Sequence, residues 1–103
     1  MVINMQIDTN KTDGSLHLKL SGRLETSTAP MLQEVVDTQT GDISELLMDM
    51  ENIDYVSSAG LRVLLAASKK MKAKDGRMIV SNVNEVVMDV FEITGFNEIL
   101  DIW

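Results

Sequence analysis

The segment LLMDMENIDYVSSAGLRVLL, residues 46–65, decides the fold of this 103-residue chain. Its opening residues are dense in apolar side chains, which predicts a central strand that is covered on both faces. ENIDYV, residues 51–56, is expected to form a loop, and a helix is expected to follow. Five positions of that helix fall on one apolar face, at the spacing i, i+3, i+4, i+7 and i+11: Gly60, Val63, Leu64, Ala67 and Met71.

Upstream of this segment, the patterns predict a hairpin and a helix. LHLKL, residues 16–20, alternates apolar and polar residues, which is typical of a strand with one buried face. The Asp13–Gly14 pair joins it to a ragged strand signal at residues 2–7, where Val2, Met5 and Ile7 are apolar. Thr26, Ser27 and Thr28 are possible N-caps of a helix whose first turn contains Pro30.

Downstream of this segment, strand and helix patterns alternate. RMIVSN, residues 77–82, predicts a strand after the Asp75–Gly76 turn. NEVVMDVFEITG, residues 84–95, predicts a helix that ends at Gly95 and turns Val86, Val87, Val90 and Phe91 inward. NEILDIW, residues 97–103, predicts a short final strand or an ordered tail.

The resulting order is β-β-α-β-α-β-α-β. It predicts one α/β domain over residues 1–103, with a mixed, mostly parallel sheet that an N-terminal hairpin opens and α-helices cover. The residues predicted to fill the core are Leu18, Leu20, Leu47, Met48, Leu64, Val80, Val87 and Phe91.

Composition and charge narrow the functional classes. Apolar residues make up 45% of the chain, enough for a single core, and there is no cysteine for disulfides or thiolate chemistry. The net charge of −7 disfavours direct nucleic-acid binding, because phosphates would be repelled. Neither a signal peptide nor an apolar run of about 18–20 residues is present, so a soluble, cytoplasmic protein without membrane contact is expected.

Enzymatic chemistry has little support in the sequence. His17 is the only histidine, and it lies on the outward phase of a strand, away from any serine that it could activate. The acidic residues lack the spacing of a metal loop, and the glycine-rich phosphate loop is absent. We therefore expect a protein that is not an enzyme and that holds neither cofactor nor metal.

The serine pair Ser57–Ser58 lies where function gathers in open α/β sheets, between the carboxyl end of a parallel strand and the next helix. Either serine can cap that helix, which is worth about 1 kcal/mol relative to alanine. If Ser57 is the cap, Ser58 occupies the first helical position and projects its hydroxyl into solvent. The residues alone allow a purely capping role for both serines.

Three stretches carry a resemblance to a known family: LSGRLETSTA (20–29), the segment at 46–65, and FEITGFNEIL (91–100). In this order they resemble the STAS domain of the bacterial anti-sigma factor antagonists, over the whole chain. The resemblance implies that Ser58, two residues before the glycine that opens the helix, is the phosphoacceptor. It also implies a partner-binding surface around that serine, made of Glu25, Thr26, Asp54, Ser57, Ala59 and Gly60.

The mechanism implied by the resemblance is a partner switch. The unmodified protein binds an anti-sigma factor with serine kinase activity and so releases a sigma factor. Phosphorylation of Ser58 ends that binding, and a serine phosphatase reverses it. Family members often have an aspartate where this chain has Ser57, which leaves open a STAS docking subunit that is not phosphorylated and serves another regulatory or transport complex.

Overall fold

The computed structural model describes residues 5–103, and within them the predicted order of strands and helices is confirmed. Val2, expected in the first strand, lies outside the described residues. The elements are β1 (Met5–Thr12), β2 (Ser15–Leu24), α1 (Ala29–Gln39), β3 (Glu45–Val56), α2 (Ser58–Ala73), β4 (Arg77–Ser81), α3 (Glu85–Thr94), a 3-10 turn (Phe96–Glu98) and β5 (Asp101–Ile102).

The five strands form one sheet in the order β1-β2-β3-β4-β5. The first two strands are antiparallel and joined at Asp13–Gly14, with Thr12 directly opposite Ser15. Gly14 has a φ of 76°, which a residue with a Cβ adopts only at a cost. All other neighbouring strands are parallel. The predicted mixed, mostly parallel sheet opened by an N-terminal hairpin is therefore confirmed.

One face of the sheet is open. Each strand-helix-strand connection steps to the next strand in the same direction, so right-handed crossovers place all three helices on the same face. Leu18 is buried on that face, whereas His17 and Lys19 are exposed on the other. The prediction that the central strand is covered on both faces is wrong, and Leu47, predicted in the core, is only half-buried on the open face.

The core fills the space between the covered face and the helices. Every residue of the apolar face predicted for α2 is buried, and Leu64 is fully so. In α3, Val87 and Phe91 are fully buried, but Val86 is 59% exposed, so its predicted inward orientation is wrong. Because consecutive helical residues point about 100° apart, Val86 cannot point into the core when Val87 and Phe91 do.

β3 is longer than predicted, because ENIDYV continues the strand instead of forming a loop. Its buried residues Ile53 and Val56 pair with Gly22 and Leu24 of β2. Shifts of register in this pairing interrupt the alternation of buried and exposed residues, which is why the sequence pattern resembled a loop. As a result, only Ser57 separates the end of β3 from the start of α2.

Candidate functional site

The two serines at the start of α2 have different environments. Ser57 is the N-cap: its Oγ accepts a hydrogen bond from the Gly60 N–H at 3.4 Å, and its own N–H donates to the Leu24 carbonyl at 2.9 Å. Ser58 is the first residue of the helix and is exposed. Of the two serines that could cap the helix, Ser57 does so, and Ser58 is then exposed to solvent, as expected for that case.

Gly60 brings the start of α2 directly against the end of β2. A Cβ at Gly60 would lie 2.7 Å from Leu24 Cγ and 2.8 Å from the Leu24 carbonyl oxygen, closer than atoms can pack. Only glycine allows this approach, and the approach places α2 beside the loop that follows β2. Glu25, the first residue of that loop, therefore lies at the same edge of the sheet as Ser57 and Ser58.

Thr28 organises the loop between β2 and α1. Its buried hydroxyl donates to the Arg23 carbonyl at 2.6 Å and accepts from the Glu25 N–H at 2.9 Å. Although Thr28 occupies the N-cap position of α1, its side chain does not cap the helix. The sequence pattern indicates only a capping role for Thr28. Its part in holding the backbone of Glu25 depends on a turn that no local pattern reveals.

The Glu25 carboxylate is held by two neighbours. It accepts a hydrogen bond from the Ser27 hydroxyl at 2.6 Å and a longer one from Arg23 Nε at 3.5 Å. The Ser27 hydroxyl chiefly, and the Arg23 guanidinium in addition, lower the pKa of Glu25 below its ordinary value. The side chain is therefore an anion at neutral pH and presents a fixed negative charge at this edge.

Thr26 and Ala59 lie on opposite sides of a shallow groove between α1 and α2. The groove has a volume of about 340 Å³, and its lining is mainly apolar. Its lining residues are Thr26, Ala29, Pro30, Gln33, Ala59, Arg62 and Val63. No local sequence pattern reveals this groove or the place of Arg62 in it, because both depend on how the two helices pack.

Asp54 differs from the other predicted site residues in lying within β3. It is exposed on β3, between Ile53 and Tyr55, where the pairing with β2 is irregular. Tyr55 is covered by the Arg23 guanidinium, whose carbon is 4.6 Å from the ring centroid. The structure thus brings Glu25, Thr26 and the Ser57–Gly60 turn together, with Asp54 on the adjoining part of β3.

The basic residues at the end of α2 and directly after it make other contacts. Lys70 Nζ donates to the Val36 carbonyl at 3.2 Å, and Lys74 Nζ donates to the Thr40 carbonyl, so both bind the end of α1. Arg77 forms an ion pair with Asp101 at 3.0 Å. Within residues 5–103, no group of three or more His, Asp or Glu side chains could hold a metal ion. None of the helices in that range has the length and apolar character needed to cross a membrane.

Residues 6–103 match the family described as the STAS domain. The chain belongs to the STAS domain family. It is 25% identical over 100 residues to the anti-sigma-B factor antagonist of Bacillus subtilis, an alignment that covers 97% of this chain and 92% of that protein. The STAS resemblance noted in the sequence is confirmed.

Solved structures of this family share the fold. An anti-sigma factor antagonist from Mycobacterium paratuberculosis superposes with a TM-score of 0.85 at 21% identity, covering 96% of this chain and 85% of that one. The Bacillus cell fate determinant SpoIIAA, solved in a phosphorylated form, gives a TM-score of 0.75 at 18% identity, covering 95% and 91%. At these identities, the similarity establishes the STAS fold of the chain.

The capping role of Ser57 is testable by substitution. Ser57→Ala should lower the free energy of unfolding by about 0.5–1 kcal/mol, the lower part of the range for N-caps, because the 3.4 Å bond to Gly60 is long. Urea denaturation would measure the loss. Ser58→Ala is the matched control and should change stability by less than about 0.5 kcal/mol, since Ser58 is exposed. A larger loss for Ser58→Ala than for Ser57→Ala would contradict the assignment.

Proposed function

We propose that this STAS protein is an anti-sigma factor antagonist that is switched off by phosphorylation of Ser58. Unmodified, it binds an anti-sigma factor with serine kinase activity and thereby frees a sigma factor. A serine phosphatase restores the active form. The protein acts in the cytoplasm by binding alone, without cofactor, membrane or direct nucleic-acid contact. The observation that carries the proposal is that Ser58 is exposed at the first position of α2, directly after Ser57, whose hydroxyl caps the helix.

Ser58 is the better phosphoacceptor of the two serines. The Ser57 hydroxyl is engaged with the Gly60 N–H, and its backbone is tied to Leu24 at the end of β2. A kinase would have to break the cap to reach it. The exposed Ser58 hydroxyl needs no such opening, so modification there costs the fold little.

A phosphate at Ser58 is compatible with the fold. The first turn of a helix presents N–H groups without helical partners and the positive end of the helix dipole, both favourable to an anion. SpoIIAA, which shares this fold, has been solved in a phosphorylated form. These points support a switch that changes the surface while the fold is kept.

The same phosphate would oppose partner binding. It adds a charge of about −1.5 to −2 next to the Glu25 carboxylate, on a chain whose net charge is already −7. A partner that packs on Ala59 and the groove beside it would have to desolvate this dianion. Steric overlap and desolvation both act at the interface, so binding should weaken without unfolding.

Site mapping and binding titrations test the proposal. The unmodified protein would be used to isolate the anti-sigma factor. The two proteins would then be incubated with ATP, and the phosphorylated residue would be mapped by mass spectrometry. Ser58→Ala should abolish phosphorylation and keep binding, whereas Ser58→Asp should weaken binding, because a carboxylate imitates part of the phosphate charge. Ser57→Ala is the matched control, which should still be phosphorylated.

Two results would reject the switch. The first is phosphate on Ser57, and the second is undiminished binding of the anti-sigma factor by the phosphorylated protein. A protein that binds its partner but is never phosphorylated would instead fit the STAS docking subunit.

A further inference from the structure

Within residues 5–103, no ion pair or side-chain hydrogen bond engages Arg62, a cation beside the proposed switch. It lies on α2, four residues after Ser58, and is exposed on the rim of the groove formed with Thr26 and Ala59. The ion pairs found within residues 5–103 involve Lys11, Arg23, Lys70 and Arg77, and Arg62 takes part in none of them.

The helix directs Arg62 towards Ser58. Residues four apart lie on the same side of a helix, with Cβ atoms about 5–6 Å apart, and long side chains lean towards the N-terminus. The Arg62 guanidinium therefore extends over the first turn of α2, in agreement with its place beside Thr26 and Ala59 in the groove. An anion at position i with a cation at i+4 is also the favourable orientation of such a pair.

The other cations near this edge are engaged or distant. Arg23 contacts the Glu25 carboxylate and covers the Tyr55 ring. Lys70 and Lys74 contact the end of α1, far along α2 from its first turn. Arg62 is thus the cation in the described part of the chain that a phosphate on Ser58 can reach without breaking an existing contact.

We propose that Arg62 forms an ion pair with the phosphate of phosphorylated Ser58 and holds it along the side of α2 that borders the groove. The biological occurrence of this pair rests on the proposed function, whereas its formation depends only on the geometry of the helix. A guanidinium binds phosphate oxygens through two parallel hydrogen bonds, which fixes direction as well as charge. The phosphate would then cover the groove next to Ala59, where a partner would otherwise pack.

Phosphoserine placed at position 58 during translation, by an expanded genetic code, tests the pair without any kinase. The second ionisation of the phosphate would be followed by phosphorus-31 NMR over a pH titration. A neighbouring cation stabilises the dianion, so removing it must raise the titration midpoint. Arg62→Gln should raise the midpoint by about 0.15–0.4 pH unit, the equivalent of a favourable pair across one helical turn.

Lys69→Gln is the matched control, because Lys69 is also exposed on α2 and its replacement removes the same charge. Lys69 lies roughly 16 Å along the helix from Ser58, beyond the screening length of about 8 Å, so the midpoint shift of Lys69→Gln should stay below about 0.1 pH unit. Arg62→Lys keeps the charge but loses the two-bond geometry, and its midpoint should fall between those of the wild type and Arg62→Gln.

Equal midpoints for the wild type and Arg62→Gln would overturn the ion pair. Equal shifts for Arg62→Gln and Lys69→Gln would also overturn it, since they would report only net charge. The proposed function can fail independently of the ion pair. If Arg62→Gln raises the titration midpoint as expected but the anti-sigma factor does not phosphorylate the protein, the switch is rejected and the ion pair is kept.

Discussion

Replacing Leu64 with alanine should lower the free energy of unfolding by about 2–5 kcal/mol, the range for truncating a buried leucine. Leu64 has no exposed surface and lies at the centre of the α2 face that packs on the sheet. Alanine would lose the transfer free energy of the removed methyl groups and leave a cavity, because tightly packed neighbours relax only in part.

Urea denaturation monitored by circular dichroism would measure this loss. Leu65→Ala is the matched control: the same change at the next position of α2, where the side chain is only half-buried. It should cost clearly less than Leu64→Ala. If Leu65→Ala were the more damaging variant, the orientation of α2 on the sheet would be wrong.

Gly60→Ala should destabilise the protein by about 1–3 kcal/mol through overpacking. At an unstrained position inside a helix, the same change would stabilise by about 0.5–1 kcal/mol, so the sign of the effect is informative. The new Cβ would meet Leu24 Cγ at 2.7 Å and the Leu24 carbonyl oxygen at 2.8 Å. The backbone oxygen cannot turn aside as a flexible side chain would, so α2 must move away from β2. We expect partner binding to weaken as well, because Ser58 and Glu25 would separate.

Gly41→Ala is the matched control for this prediction. A Cβ at Gly41 has no atom within 4 Å, so its stability should change by less than about 0.5 kcal/mol. Chemical denaturation of both variants, with a binding titration against the anti-sigma factor, provides the comparison. A stabilised Gly60→Ala that binds normally would show that the contact with Leu24 does not position the site.

The structure shows which sequence patterns are dependable. The hairpin at Asp13–Gly14 and the buried face of α2 were predictable, because turn chemistry and helical periodicity are properties of neighbouring residues. The continuation of β3 through residues 51–56 was not, since its buried residues follow an irregular pairing with β2. Val86 was assigned inward because several adjacent apolar residues in α3 allow more than one orientation, and only packing selects among them.

By itself, the sequence determined the order of the elements, the serine pair at the start of α2 and the glycine that follows it, because these depend on short-range spacing. The tertiary structure decided that the strands follow one another across the sheet, which puts the helices on one face and leaves Leu47 half-exposed on the other. It also decided that Glu25 and Arg62 share an edge with Ser58. That arrangement depends on the contact of Gly60 with Leu24 and on the packing of α1 against α2. It could not be predicted, because contacts between residues distant in the chain leave no local periodicity in the sequence.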